Sequence, residues 1–168
     1  MKIVLRSYRP EDFEALYLID QACYASDTAY SRADLRTYLA FPGADCVVAE
    51  MQAGPGSRDG GDNAFRAAKI IGFCVSVHRG AGGHIITMDV IKGCRRHGVG
   101  SAILGEVEKR LARAGVEHVS LETATDNAAG VSFWRKHGYR SCGMKRGYYP
   151  RGRDAYAMMK AIAEVREH

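Results

Sequence analysis

The chain has little that would tie it to a metal, a membrane or an oxidising compartment. Its 168 residues include five cysteines, Cys23, Cys46, Cys74, Cys94 and Cys142, but no C-x-x-C pair and no Cys/His ligand spacing. An odd count without such spacing argues against a disulfide framework and against a zinc site, and no metal is expected. Cys46 and Cys74 lie within apolar runs and read as buried thiols. No apolar run approaches the roughly 20 residues of a spanning helix, so no membrane association is expected. The opening MKIVLRSYRPED lacks an apolar stretch of signal-peptide length, and the chain is expected to be cytoplasmic. There is no internal repeat, and the only biased segment lies at 54–62. Tryptophan occurs once, at position 134.

What is present suits one folded domain. Hydrophobic residues make up 46% and charged residues 26%, an ordinary globular balance. A chain of this length buries a sizeable core without staples, so residues 1–168 are read as a single domain. The net charge of +5 fits a mildly basic surface, or a site for an anion such as a phosphate, a nucleic acid or an acidic protein. The placement of the arginines has to decide.

Periodicity gives the order of elements. KIVLRSY at 2–8 alternates and is rich in β-formers, so it reads as a strand; Pro10, Glu11 and Asp12 then open a helix. A second short helix covers 31–40, with Ser31 as N-cap and Asp34 three residues on. Strands follow at 45–51, 69–79 and 84–91; the Gly- and Asp-rich segment after the first reads as a long hairpin connection. Ala102, Ile103, Val107 and Leu111 line one face of a helix over 101–114 that Gly115 stops. A strand at 116–123, a helix capped by Asp126 or Asn127 and stopped at Gly138, and a closing strand pair at 139–150 and 153–162 complete the chain. The order βααβββαβαββ indicates an α/β (α+β) domain around a twisted sheet.

The segment RRHGVGSAIL sits between a strand and a helix. Gly98 and Gly100 are expected to take strained angles and let a ligand approach the backbone closely. The helix start offers unpaired N–H groups and the positive end of its dipole, and Arg95, Arg96 and His97 add charge beside it. The chemistry suits a pyrophosphate. The loop is not G-x-x-x-x-G-K-[ST], which excludes a P-loop; Ile103 stands three places after Gly100, against a G-x-G-x-x-G dinucleotide turn. The plain alternative is a glycine-containing βα turn.

R-x-x-G-x-G over Arg95–Gly100 resembles the acetyl-CoA pyrophosphate motif of the GNAT N-acetyltransferases. MDV at 88–90 and LETATDNAAGVSFWRKHGY at 121–139 resemble the family segments on either side. KRGYYPRGRDAYAMM at 145–159, and the first strand and PEDF helix at 3–19, resemble the Rim-type ribosomal-protein-alanine acetyltransferases. The likeness covers nearly the whole chain apart from 52–66. It implies a mixed twisted sheet of about six to seven strands with about four helices, whose central strands splay to receive acetyl-CoA. It further implies that Met88, Asp89 and Val90 hold the acetyl group and pantetheine arm, with the Val90 N–H on the thioester carbonyl. Arg95, Arg96, His97, Gly98, Val99, Gly100 and Ser101 would hold the pyrophosphate, and Asn127 the arm. Glu122 stands in the place of the general base. Asp89 is a second candidate base, because an acid in an apolar strand is costly unless used or paired. Trp134 stands where these enzymes carry a tyrosine as general acid; an indole N–H donates but has no accessible acid–base pair. Trp134 is therefore expected to shape the cofactor slot, with Tyr139, Tyr148 and Tyr149 as candidate donors of the thiolate proton. Tyr148 and Tyr149 would also wall the acceptor site, joined by Tyr30 and its neighbour Ser31.

The implied activity is transfer of an acetyl group from acetyl-CoA to a primary amine by direct attack in a ternary complex. The favoured acceptor is a protein N-terminal α-amine, such as that of a ribosomal protein. Two readings stay beside it: a small-molecule amine as acceptor, and an acetyl-CoA-binding module without catalysis. Nucleic-acid binding ranks lower, because the arginines cluster at the loop and at 146–153, where a cofactor and an acidic partner account for them. No oligomeric state is implied.

Overall fold

A computed structural model describes residues 1–52 and 69–162. The expected hairpin connection therefore lies almost wholly outside the described residues. Seven strands and four α-helices occur among them: β1 (Ile3–Ser7), α1 (Phe13–Cys23), α2 (Arg32–Leu39), β2 (Ala44–Met51), β3 (Lys69–Arg79), β4 (Gly82–Val90), α3 (Val99–Arg113), β5 (His118–Ala124), α4 (Ala128–Lys136), β6 (Arg140–Tyr149) and β7 (Arg153–Ala161). This is the expected order, in one mixed sheet arranged β1-β2-β3-β4-β5-β7-β6. None of the described helices is long and apolar enough to cross a membrane.

Local signals explain most boundaries. Ser31 Oγ accepts the Asp34 N–H at 3.1 Å and starts α2. Residues 10–12 form a 3-10 turn before α1 rather than its first turn, because Asp12 folds back to accept the Arg9 N–H at 2.7 Å and both terminal nitrogens of the Arg6 guanidinium. The helix expected from 101 begins two residues earlier, at Val99, with Gly98 as N-cap.

The sheet is sandwiched. On one side α3 and α4 cover it through Ile103, Leu104, Val107, Leu111 and Trp134 against Val119, Leu121 and Met158. On the other, α1 and α2 place Leu16, Ile19 and Leu35 against Val48, Phe73 and Val75. Each such side chain contributes about 1.5–3 kcal/mol by leaving water, so the two layers hold the sheet firmly. Cys46 and Cys74 are buried within these layers, as expected.

One irregularity positions the site. β4 pairs in parallel with β5 only at Gly82↔His118, Gly83↔Val119 and His84↔Ser120. On its other edge β4 carries a bulge: Ser76 opposes Ile85 and Val75 opposes Thr87, so Ile86 is extra. A bulge bends its strand and increases local twist. The bend falls where the β4–β5 ladder ends. Beyond it β4 follows β3 up to Val90, while β5 follows β7 up to Ala124. A wedge opens between them.

Candidate functional site

The loop after β4 closes one side of the wedge. Arg95 Nε donates to the Val90 carbonyl at 2.9 Å, folding the loop back on the strand end. His97 Nδ1 donates to the Arg95 carbonyl at 2.7 Å. Arg96 (φ 60°) and Gly98 (φ 79°) are left-handed, the kind of turn that gathers backbone N–H groups into an anion-binding concavity. Gly98 offers no side-chain cap, so the first-turn N–H groups of α3 have no side-chain partner. Gly100 differs from expectation. It is helical and packs closely: a Cβ would lie 3.3 Å from Phe133 Cε2. Ser101 Oγ meets His137 Nε2 at 2.9 Å, linking the first turn of α3 to the end of α4.

The other side is built from side chains of several strands. Glu122 Oε2 is 2.9 Å from His84 Nε2, and Glu122 Oε1 is 2.5 Å from Lys145 Nζ. His84 Nδ1 lies 2.8 Å from Ser120 Oγ, which also reaches the Gly83 carbonyl at 3.3 Å. A carboxylate only accepts, so His84 Nε2 carries the hydrogen toward Glu122. Contact with His84, and then with Lys145, outweighs partial burial and pulls the Glu122 carboxyl down to about 2. A cleft of about 700 Å³ adjoins His84 and Ser120, bounded also by Phe41, His78 and Arg79.

Tyrosines surround this carboxylate. Tyr148 and Tyr149 stack edge-to-face at 4.9 Å, and Lys145 Nζ sits 5.4 Å from the Tyr148 ring centre. Burial pushes the Tyr149 phenol up to about 12, and burial also raises Tyr148. Tyr30 packs on Tyr38 at 5.1 Å, and its phenol donates to the Ile86 carbonyl at 3.3 Å. Arg153 donates to Thr28 Oγ1 at 3.3 Å and Arg151 pairs with Asp27 at 3.2 Å. These contacts stitch the α1–α2 loop to the β6–β7 hairpin.

The remaining expected residues lie apart from this groove. Tyr139 is fully buried, and its phenol donates to Glu108 Oε1 at 3.0 Å. Burial, with the Glu108 charge, raises it far above the ordinary phenol range. A candidate proton donor held this way is withdrawn into the core. Trp134 is 8% exposed and packs edge-on to Phe133 and Tyr139 in the layer under α3. Asn127 is the N-cap of α4: its Oδ1 accepts the Gly130 N–H at 3.0 Å, which leaves Nδ2 for any other partner. Asp89 turns toward α1, where its carboxyl meets that of Asp20. Sequence reasoning passed over His84, Ser120, Lys145 and Asp20. Strand register brings His84 and Lys145 to Glu122, while Ser120 shares its face of β5 two residues before it. Among the described residues no group of three or more His, Cys, Asp or Glu is placed to hold a metal ion.

Comparison with known proteins gives this geometry a context. The model of the acetyltransferase (GNAT) family matches residues 13–139. The chain is similar to an N-alpha-acetyltransferase of Sulfurisphaera tokodaii, 32% identical over 77 residues that make up 45% of this chain and 46% of that protein. It spans about half the length of the curated relatives it matches. Among solved structures, the ribosomal-protein-S18-alanine N-acetyltransferase from Escherichia coli superposes with a TM-score of 0.80 over 99% of each chain at 21% identity. Arabidopsis thaliana NAA60 in complex with acetyl-CoA does so with a TM-score of 0.80 over 96% of this chain and 99% of that one, at 18% identity. At these identities the superpositions show a shared fold.

Proposed function

The chain belongs to the acetyltransferase (GNAT) family, and on that premise we propose that it transfers an acetyl group from acetyl-CoA to a protein N-terminal α-amine. The residues present fit the cosubstrate. The uncapped start of α3, the left-handed Arg96 and Gly98, and the absence of a Cβ at Gly100 form a cradle for a pyrophosphate. Arg96, His97, Gly98, Val99, Gly100 and Ser101 would hold it; Met88, Val90 and Asn127 Nδ2 would hold the arm. Acetyl-CoA supplies an activated acyl thioester, and the chain's own groups bind and orient the amine and take its proton.

The observation that carries the acceptor assignment is Lys145 Nζ at 2.5 Å from Glu122 Oε1. It marks a place at the mouth of the wedge where this carboxylate receives a primary amine nitrogen. Lys145 is 49% exposed on the edge strand, so it can leave and an acceptor nitrogen can take its place. The strength of Glu122 as a base then selects the acceptor. Even with Lys145 displaced and the carboxyl back near the ordinary glutamate value of about 4.3, stripping an ammonium of pKa about 8 is uphill by about 5 kcal/mol. Such a site suits an amine that is already partly neutral. Near pH 7.5 roughly a third of α-amines are neutral, against about 0.1% of lysine side chains. Glu122 orients the neutral amine by accepting its N–H. It takes the proton once C–N bond formation makes that nitrogen acidic, and releases it to water in the cleft beside His84; the C–S bond breaks as the amide forms, and the departing thiolate would take its proton from water. His84 holds Glu122 in place and ionised.

The same arithmetic weighs against the phenols as proton donors. Moving a proton from Tyr149, at about 12, to a thiolate of ordinary pKa near 8.5 costs about 5 kcal/mol. Tyr148 and Tyr149, with Tyr30, serve better as walls that exclude water from the acceptor. Intact-mass measurement on peptides with free α-amines, α-blocked lysine peptides and small amines tests the proposal. One acetyl gained on free α-amines is expected. Turnover confined to lysine peptides or to small amines overturns it.

A further inference from the structure

Behind the wedge lies a pair of acids that the proposed chemistry does not use. Asp20 on α1 and Asp89 on β4 are 0% and 2% exposed, and their carboxyls are in hydrogen-bonding contact. Each has one oxygen with donors. Asp20 Oδ2 accepts the Tyr30 N–H at 2.7 Å and Gln21 Nε2 at 3.4 Å; Asp89 Oδ1 accepts the Thr87 hydroxyl at 3.1 Å. Each also has one buried oxygen, Asp20 Oδ1 and Asp89 Oδ2, without a donor. The titratable and charged groups around them are Cys23 at the end of α1, Tyr24 just after it, whose phenol is in hydrogen-bonding contact with Asp89, Tyr30 from the following loop, and Arg95 beyond the end of β4. Arg95 Nε is spent on the Val90 carbonyl. Among the described residues no ion pair neutralises either acid. Two like charges in one dry site repel, and a buried acceptor without a donor is costly. A single proton between the two orphan oxygens removes both penalties.

We propose that Asp20 and Asp89 share one proton, and that this acid–carboxylate pair is a positioning element that fastens the Tyr30 wall of the acceptor groove to β4. The role in the groove rests on the proposed function; the shared proton does not. Tyr30 is held at three points: its N–H by Asp20, its carbonyl by Gln21 Nε2 at 2.8 Å, and its phenol on Ile86. With the pair fully ionised, α1 and β4 carry facing charges, and the first two of these points move with α1.

The sign comes from proton linkage. Burial, then the Asp20 charge, pushes Asp89 from the ordinary 3.8 up to about 7. The closed loop therefore keeps a proton that an opened, hydrated pair releases between about pH 4 and about pH 7. Opening is favoured about tenfold per pH unit across that window and levels off above it.

Hydrogen exchange of the Tyr30 amide, in the full chain without substrates, reads this directly. Base catalysis alone raises exchange about tenfold per unit, so a total of about a hundredfold per unit is expected below about pH 7, and about tenfold above. In Asp20→Asn the new amide donates to Asp89 while its oxygen still receives Tyr30, so about tenfold throughout is expected. A wild-type slope of about tenfold over the whole range overturns the shared proton. If Asp20→Asn does not fold, Asp89→Asn makes the same test. Carbon-13 titration of the wild-type aspartate carboxyls makes it without any variant: one carboxyl should titrate near 7, and none above about 5 overturns the proposal. With an α-amine peptide, acceptor KM should rise between about pH 5 and about pH 7 in the wild type relative to Asp20→Asn, with kcat alike. Parallel KM profiles overturn the positioning role. A chain that acetylates no amine fails the proposed function, while exchange still reports on the pair.

Discussion

The two sides of the wedge are made differently. The proposed cofactor side is backbone: a left-handed Arg96, a left-handed Gly98 and an uncapped helix start within six consecutive residues. The proposed acceptor side is side chain: His84 from β4, Ser120 and Glu122 from β5, Lys145 from β6, and tyrosines from an α1–α2 loop and the β6–β7 hairpin. A backbone site tolerates changes in most side chains and fails when a glycine is lost. A side-chain site fails at its central charge and can be retuned by changing that charge's neighbours. The first geometry suits a partner common to many reactions, and the second a partner that varies.

The sharpest way to break the comparison is at Glu122. Glu122→Gln keeps the shape and the His84 contact but removes the charge, and kcat on an α-amine peptide should fall by about 10²- to 10⁴-fold. Acetyl-CoA affinity, measured by calorimetry, should hardly change. If both fall together, the two sides are not independent. Gly98→Val makes the converse test. A β-branched residue at φ 79° costs about 1–2 kcal/mol and swings the loop. Acetyl-CoA should bind at least about tenfold more weakly, while acceptor KM at saturating cosubstrate stays near the wild-type value.

That contrast also explains what could be read in the chain. The strand order, four helices and the Ser31 cap follow from period and capping chemistry, which are local. Arg95–Gly100 is local too: Gly98 takes the left-handed angles expected of it, whereas Gly100 is helical and packs against Phe133. Glu122 was visible by resemblance, but its setting was not. His84 and Glu122 are 38 positions apart and meet because a parallel ladder ends at His84↔Ser120. Lys145 arrives through two further strand registers. Asp89 stood out as an acid in an apolar strand; its partner Asp20 looked like one more polar helix residue until α1 was laid against β4.

A smaller perturbation sharpens the acceptor side. Lys145→Ala removes the occupant of the proposed nitrogen site. Exposed pairs of this kind are worth about 0.2–1 kcal/mol, so acceptor KM should fall by up to about fivefold, with kcat nearly constant. The Glu122 carboxyl, now about 2, should move up toward the ordinary carboxylate range as one of its two nitrogen contacts goes. In the proposed role Glu122 works ionised, so the low-pH limb of kcat/KM should shift to higher pH. An unchanged limb and an unchanged KM would place the acceptor nitrogen elsewhere.

The smallest expected effect on activity is at Trp134. The indole lies in the core under α3, edge-on to Phe133, and Phe133 in turn is the surface against which Gly100 packs. Trp134→Phe empties part of that layer and should destabilise the fold by about 0.5–3 kcal/mol, read by chemical denaturation. It reaches the loop through Phe133, so acetyl-CoA affinity should weaken by no more than a few-fold, about 1 kcal/mol. An indole gains and loses no proton in the working range, so the pH profile of kcat should keep both limbs. Loss of the basic limb in Trp134→Phe would mean that the group titrating on that limb depends on the indole for its position.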